Sequence, residues 1–355
     1  MHNGAILFWC NIYEALVSLL PHTSHILQRQ PVKTRRHGTS MHQPPHNTTP
    51  WLLLVSSVGF LSLLTHTLSL LKWIFAKFLR RSKNLKHYGS WALITGASDG
   101  IGKAFAHQLA LQGLNLILVG RNPQKLESVS TEIVAQSPIT KIKIVTFDFC
   151  GDIWKGVRLI EEAIEGLDVG VLINNVGITY PGARFFHEVE ERVWMDIVRV
   201  NLEGTTRVTK AVMPGMIKRR SGAVVSVGSG AAIVVPSHPL YAIYAATKAF
   251  VDQLSRSLHV EYKGCGIHVQ CQVPLYVATN MASKAALIEK STLFVPSAND
   301  YVQAAICHIG YEPRCTPYWA HSIQWCLARL LVPDDVLDAW RFYIGVNRRG
   351  KPKFE

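Results

Sequence analysis

The chain has 355 residues, 37 Lys and Arg against 24 Asp and Glu, and a formal net charge of +13. With 48% hydrophobic and 17% charged residues it can bury a core, which excludes a disordered polyelectrolyte. Ten of the cations but one acid, Glu14, precede residue 91, so the leader carries +9 and the rest only +4. The excess charge belongs to the leader, and no nucleic-acid partner is expected of the body. Seven cysteines without a Cys-x-x-Cys pair give neither a disulfide framework nor a metal site, and fit reduced thiols facing the cytosol.

Residues 1–50 form a leader. Its apolar run, 5–20, is short and contains Glu14, so it reads either as a signal-type segment or as sequence upstream of a start at Met41. Residues 51–71, WLLLVSSVGFLSLLTHTLSLL, carry no Lys, Arg, Asp or Glu. As a helix they extend about 31 Å, enough to cross a bilayer. Six cations follow between Lys72 and Lys86 in the juxtamembrane segment 72–88, whereas 37–50 holds no charge of either sign. The positive-inside rule then places the C-terminal side in the cytosol. Lys72, Lys77, Arg80 and Arg81 are expected among the lipid headgroups.

From Ser90 the texture changes to α/β. WALITG, LNLILVG, KIKIVTF, GVLINN, GAVVSV and IHVQCQV are β-rich runs alternating with helical patterns. This predicts a Rossmann-like, doubly wound parallel sheet over 89–330, with 331–355 as a basic tail. Gly96, Gly100 and Gly102 lie between the first strand and helix, with Ser98 and Ile101, where a dinucleotide pyrophosphate meets a helix N-terminus. Arg121 ends the second strand, where an Arg suits a ribose 2′-phosphate, so NADP(H) is the expected cofactor. Asp99, a negative charge inside the loop, opposes that reading. Asp148 closes the third run, placed to accept from an adenine amino group.

Asn174-Asn175-Val-Gly177 follows the fourth run, Asn201 lies in a helical pattern, and Ser229 follows the fifth. Of eleven tyrosines, only Tyr244 has a Lys four residues on, Lys248, which puts phenol and ammonium on one helical face. A neighbouring ammonium stabilises a phenolate and brings a proton donor toward working pH. Fifteen positions separate Ser229 from Tyr244. Tyr241 is closer but has Ala245 where a Lys is needed.

TGASDGIG at 95–102, NNVG at 174–177, Asn201, Ser229, YAATK at 244–248 and PLYVAT at 274–279 together resemble the short-chain dehydrogenase/reductase family. The resemblance covers about 88–310. It implies that Tyr244 donates a proton, Lys248 lowers its pKa and holds the nicotinamide ribose, Ser229 positions the carbonyl, and Asn201 anchors a relay water. It also implies cofactor contacts at Asn175, Val277 and Thr279. Val176 and Leu275 depart from the family's usual Ala and Gly.

RRSKNLKHYGSWALITG, GDIWKGV, FHEVEE, DQLSRSLHVEYK, VQCQVPLYVAT and YEPRCTPYW look like the very-long-chain 3-oxoacyl-CoA reductases of plants. That resemblance implies NADPH-dependent reduction of an acyl-CoA substrate during fatty-acid elongation at the endoplasmic reticulum membrane. The catalytic domain would face the cytosol, among membrane lipid and the other elongase subunits: condensing enzyme, dehydratase and enoyl reductase. Lys351 and Lys353 match a retrieval signal of that compartment. A membrane hydroxysteroid dehydrogenase and a weakly active or non-catalytic elongase paralogue remain alternatives.

Overall fold

A computed structural model describes residues 49–286 and 290–349. The leader's apolar run, Met41 and the lysines of the tail lie outside the described residues. Contacts divide the chain into two units, up to Ser62 and from Leu63 onward. Helix α1, Thr49–Ile74, starts in the first unit and has exposed apolar side chains along its length. With the π-helical turn Phe75–Leu79 it makes one helix long and apolar enough to cross a membrane, with a mean hydropathy of 1.6. The turn stops at Arg80, whose backbone is extended.

The body is built on seven parallel strands: β1 Trp91–Thr95, β2 Asn115–Gly120, β3 Ile142–Thr146, β4 Val169–Asn174, β5 Gly222–Val227, β6 Ile267–Gln272 and β7 Arg314–Cys315. Their order is β3-β2-β1-β4-β5-β6-β7. The crossover from β3 to β4 makes β1 and β4 neighbours and opens a switch point at their C-terminal ends, where such sheets bind ligands. Strand residues alternate between the two faces, as a pleat requires. Ala92, Ile94, Leu116, Leu118, Val171 and Ile173 pack with Phe105 and Leu109 of α2 (Gly100–Leu111) and Leu126 and Val129 of α3 (Pro123–Gln136). Leu93, Ile117, Val119 and Leu172 face the other way. They pack with Ile153, Val157 and Ile160 of α4 (Ile153–Ile164) and with Val208, Val212 and Met216 beyond it.

After β4 come α5 (Glu191–Val198), a π-helical turn at Arg199–Gly204 and α6 (Thr205–Arg219). The short α7 (Gly230–Ile233) and the long α8 (Ala242–Tyr262) lie between β5 and β6. The chain ends in α9 (Asn280–Ala286), α10 (Ala298–Ile306), α11 (Trp319–Leu331) and α12 (Asp334–Arg348). The segment expected as a tail after 330 is therefore largely helix. Helix α12 buries Leu337, sets Gly345 against Leu240 and bonds Asp338 to Ser237 at 2.5 Å. The folded unit thus runs past 330, because α12 covers the loops that lead into α8.

The juxtamembrane cations also differ from expectation. Lys77 donates to the Thr316 and Pro317 carbonyls at 2.5 and 3.3 Å. Arg80 forks onto Glu312 at 2.7 and 2.5 Å, and Lys83 donates to the Gly310 carbonyl at 2.6 Å. Arg80 and Lys83 also sit over the Tyr311 ring, at 4.4 and 4.7 Å. Lys77 and Arg80 are therefore tied into the body rather than spread among headgroups, while Lys72 and Arg81 stay exposed. The physical reason is the cluster of carbonyls and one carboxylate at 310–317, which offers these cations fixed acceptors.

Burial works against the Glu312 carboxylate, but the Arg80 hydrogen bonds win and hold its pKa below the usual range. The clasp's stabilisation is complete above the unfolded carboxyl value and fades as pH falls through the depressed folded one. Arg80→Ala in the full chain should cost about 1–2 kcal/mol, since both partners keep some solvent exposure. Denaturant unfolding in detergent micelles at pH 7 should show this loss, with Lys72→Ala unchanged. Equal behaviour of the two variants would remove the clasp as a stabilising element.

Candidate active site

The glycine turn is shaped by lack of room. Gly96 and Gly100 have φ of +66° and +54°, in the left-handed region that side chains disfavour. A Cβ on Gly102 would collide with the Gly96 carbonyl oxygen and with Asn175 Nδ2. Thr95 ties β1 to β4 beside this turn. Its Oγ1 accepts from the Asn175 and Val176 amides at 3.0 and 3.1 Å and donates to the Ile173 carbonyl at 3.3 Å. Asn175 Nδ2 donates to the Thr95 and Gly96 carbonyls at 3.0 and 3.1 Å. Asn174 is buried and donates to Thr209 Oγ1 at 2.8 Å. Ser98 is half-buried in the turn, and Ile101 packs on the core. A nicotinamide dinucleotide fits these residues, because a side-chain-free cradle opens at the N-terminus of α2.

Asp99, read from sequence as an opposing charge, is the N-cap of α2. It accepts from the Gly100 amide at 2.7 Å and from Asn280 Nδ2 at 2.5 Å, with Lys125 Nζ at 3.9 Å. Capping and two partners offset its charge. Arg121 is exposed at the end of β2, just before Asn122 caps α3 by accepting from the Lys125 amide. Asp148 is exposed after β3 and accepts from the Cys150 amide at 3.0 Å. Val277 is buried, and Thr279 lies over the glycine turn, its Cγ2 3.2 Å from where a Gly100 Cβ would sit. A cleft of about 740 Å³ shares Gly100 and Thr279 with this turn and opens past Lys103 and Ser297, away from Tyr244.

Four residues from three elements, Asn201, Ser229, Tyr244 and Lys248, lie beyond β4 and β5. Ser229 caps α7, accepting from the Ala231 amide at 3.2 Å, and acts to lower the pKa of the Tyr244 phenol. Lys248, one turn along α8, is buried and donates to the Val227 carbonyl at 2.9 Å. Asn201 is buried in the π-helical turn. Its Oδ1 accepts from the Ile178 amide at 2.8 Å, and its Nδ2 donates to the Ile178 carbonyl and Thr247 Oγ1 at 2.9 and 3.0 Å. Asn201 Oδ1 and Lys248 Nζ both lie 3.3 Å from where a Cβ on Gly177 would sit, so only a glycine leaves that space open. Tyr241 stacks on Tyr180 with centroids 5.5 Å apart, in the apolar cluster against which Tyr244 packs.

The electrostatics differ from the sequence expectation. Burial raises the Tyr244 phenol, and the Ser229 hydrogen bond offsets only part of that. Burial lowers the Lys248 ammonium to about 8. The expected lowering of the phenol by Lys248 is not seen, because the ammonium is turned to the Val227 carbonyl. A raised phenol pKa keeps Tyr244 protonated at neutral pH, the state a proton donor needs.

Sequence reasoning placed Thr95, Gly177 and Tyr276 within motifs but gave none of them a role of its own. Thr95 carried a signal, a β-branched hydroxyl at the last position of an apolar strand. Tyr276 belongs to the loop with Val277 and Thr279, and its phenol oxygen accepts from Arg341 at 3.3 Å and Arg348 at 3.5 Å. No spacing in the sequence links a loop tyrosine to a helix 65 residues on.

The model of the short chain dehydrogenase family matches residues 90–289. The chain is 60% identical over 302 residues to a very-long-chain 3-oxoacyl-CoA reductase-like protein of Arabidopsis thaliana, covering 84% of this chain and 96% of that one. It is 37% identical over 281 residues to a very-long-chain 3-oxoacyl-CoA reductase of Coccidioides immitis, covering 76% and 79%. It is also 38% identical over 268 residues to the human inactive hydroxysteroid dehydrogenase-like protein 1, covering 75% and 78%. Among solved structures, a short-chain dehydrogenase from Sphingobium yanoikuyae in complex with NADPH superposes with a TM-score of 0.58 at 27% identity, covering 75% and 98%. A parallel sheet with its glycine turn at the switch point, and these matches across the body, show that the chain belongs to the short-chain dehydrogenase family of oxidoreductases.

Proposed function

We propose that this protein reduces a very-long-chain 3-oxoacyl-CoA to the 3-hydroxyacyl-CoA with NADPH, giving NADP+. One observation carries the reading: Ser229 acts on the Tyr244 phenol from the cap of α7, and Lys248 is buried one helical turn further along α8. The nicotinamide, when bound, supplies the hydride. Tyr244 gives its phenolic proton to the ketone oxygen as negative charge grows there. Ser229 donates a hydrogen bond to that same oxygen. Lys248, whose ammonium is turned to the Val227 carbonyl, would hold the nicotinamide ribose of the bound cofactor. Asn201 positions the strand-end segment at Ile178, against which Lys248 lies, and is placed to hold a relay water. Gly96, Ser98, Gly100, Ile101, Gly102, Asp148, Asn175, Val277 and Thr279 line the cofactor path, and Arg121 meets the 2′-phosphate.

The acyl-CoA substrate is supported by the names of the Arabidopsis and Coccidioides relatives. The human relative's name favours a second reading, a weakly active or non-catalytic paralogue. The intact Ser229, Tyr244 and Lys248 favour turnover. Residence in the endoplasmic reticulum membrane, with the body toward the cytosol, is supported by α1 and the charge asymmetry around it. There the enzyme would act among membrane lipid, beside the condensing enzyme, dehydratase and enoyl reductase of an elongase. The clasp at 77–83 fits this placement, since it fastens the body close to the end of α1.

The full chain in microsomes should oxidise NADPH with a long-chain 3-oxoacyl-CoA faster than with a ketosteroid. The reverse preference, or no turnover of either, would overturn the reading. Tyr244→Phe should lower kcat by about 100- to 10,000-fold, the usual worth of a general acid, and leave NADPH binding unchanged. Retained turnover would remove Tyr244 as the donor. Arg121→Glu should lower kcat/KM for NADPH relative to NADH by about ten- to a hundredfold, the loss of one charge-assisted contact. An unchanged ratio would exclude Arg121 from the 2′-phosphate site.

A further inference from the structure

Helix α12 brings two guanidiniums to the substrate side of the active site. Arg341 and Arg348 are seven residues apart, two turns on one helical face, and both donate to the phenol oxygen of Tyr276. Neither forms an ion pair with a carboxylate among the described residues, and Arg341 Nε is buried without a partner. His238 lies nearby with its Nδ1 buried and unpartnered. Burial and the two arginines push His238 down to about 4, so it stays neutral and adds no further cation. Two half-buried guanidiniums converge on one phenol oxygen with no carboxylate paired to either among the described residues, an arrangement that polarises the phenol toward an electron-rich ligand atom.

Tyr276 is placed to present that demand. Its oxygen accepts from both arginines, which leaves the hydroxyl hydrogen for another acceptor. The arginines outweigh burial and lower its pKa, which makes the phenol a stronger donor. The Pro274 carbonyl accepts from the Gly230 amide at 2.8 Å, which sets the loop of Tyr276 beside Ser229. The held geometry is rigid. Leu275 N donates to His321 Nδ1 at 3.3 Å, and His321 Nε2 meets the Tyr276 carbonyl at 3.0 Å, which fixes the loop. Leu240, at φ +64°, packs under Gly345 and fixes α12.

We propose that Tyr276, clasped by Arg341 and Arg348, receives the thioester carbonyl of the substrate and thereby selects 3-oxoacyl thioesters over simple ketones. The inference rests on the 3-oxoacyl reading above and names the residue that reads its second oxygen. A 3-oxoacyl thioester carries that oxygen two carbons from the ketone, within the same pocket. A ketone flanked only by hydrocarbon leaves the phenol hydroxyl without an acceptor. Tyr276 is thus a specificity-determining residue, and the arginines position it.

The test uses the purified full chain in detergent micelles with NADPH and two substrates: a long-chain 3-oxoacyl-CoA and the methyl ketone of matched chain length. Tyr276→Phe and Arg341→Gln are compared with the parent, with NADPH binding followed by fluorescence as the check on folding. The kcat/KM for the thioester should fall at least tenfold more than that for the ketone, chiefly through KM. Arg341→Lys should recover part of the loss. Equal losses on both substrates, or none, overturn the inference while leaving the 3-oxoacyl reading intact. A parent enzyme that reduces the ketone and ignores the thioester overturns that reading, and this inference with it.

Discussion

The site depends on one contact, the meeting of β1 and β4 at their C-terminal ends. Gly102 approaches the Gly96 carbonyl so closely that no Cβ fits, and Asn175 donates to that carbonyl and to the Thr95 carbonyl from the β4 side. Thr95 closes the junction with three hydrogen bonds through one hydroxyl. The direction in which the chain leaves β4 follows from this junction. So does the placement of Gly177 and Ile178 against Asn201 and Lys248. A methyl group at Gly102 would push the first helix off the sheet and displace the turn that faces the cofactor.

Burial dominates the chemistry beyond that junction. Tyr244 is half-buried and Lys248 buried, and each is moved toward its neutral form. A phenol kept protonated suits reduction, in which the tyrosine must give a proton away. The lysine spends its hydrogen bond on the Val227 carbonyl, and no lowering of the phenol by it is seen. The family resemblance led to the opposite expectation, a phenol lowered by its neighbour. The difference arises because desolvation of both groups outweighs their spacing along the helix.

The two ends of the body serve different neighbours. Lys77, Arg80 and Lys83 bind carbonyls and a carboxylate at 310–317, which makes the juxtamembrane segment a strut. Phe78 meets Trp319 at 6.4 Å beside it, and Leu327, Leu330 and Leu331 of α11 remain exposed. Helix α12 closes the opposite flank of the pocket and carries its two arginines there. Members of this fold share the sheet and the tyrosine; features such as these supply the differences between substrates.

The amino-acid sequence by itself determined the sheet, the apolar span, the glycine turn and the order Asn201, Ser229, Tyr244, Lys248. These are local: a strand period, a helical spacing or a run of apolar residues is complete within about twenty positions. Asp99 shows the limit even locally. Its charge was visible, but its work as a helix cap became clear only with Asn280, which the fold brings to it. The direction of the Tyr244 shift, the use of the basic segment as a strut and the convergence of Arg341 and Arg348 on Tyr276 were decided by tertiary structure alone. Burial and partner choice depend on which distant groups share a space, and neither has a period along the chain.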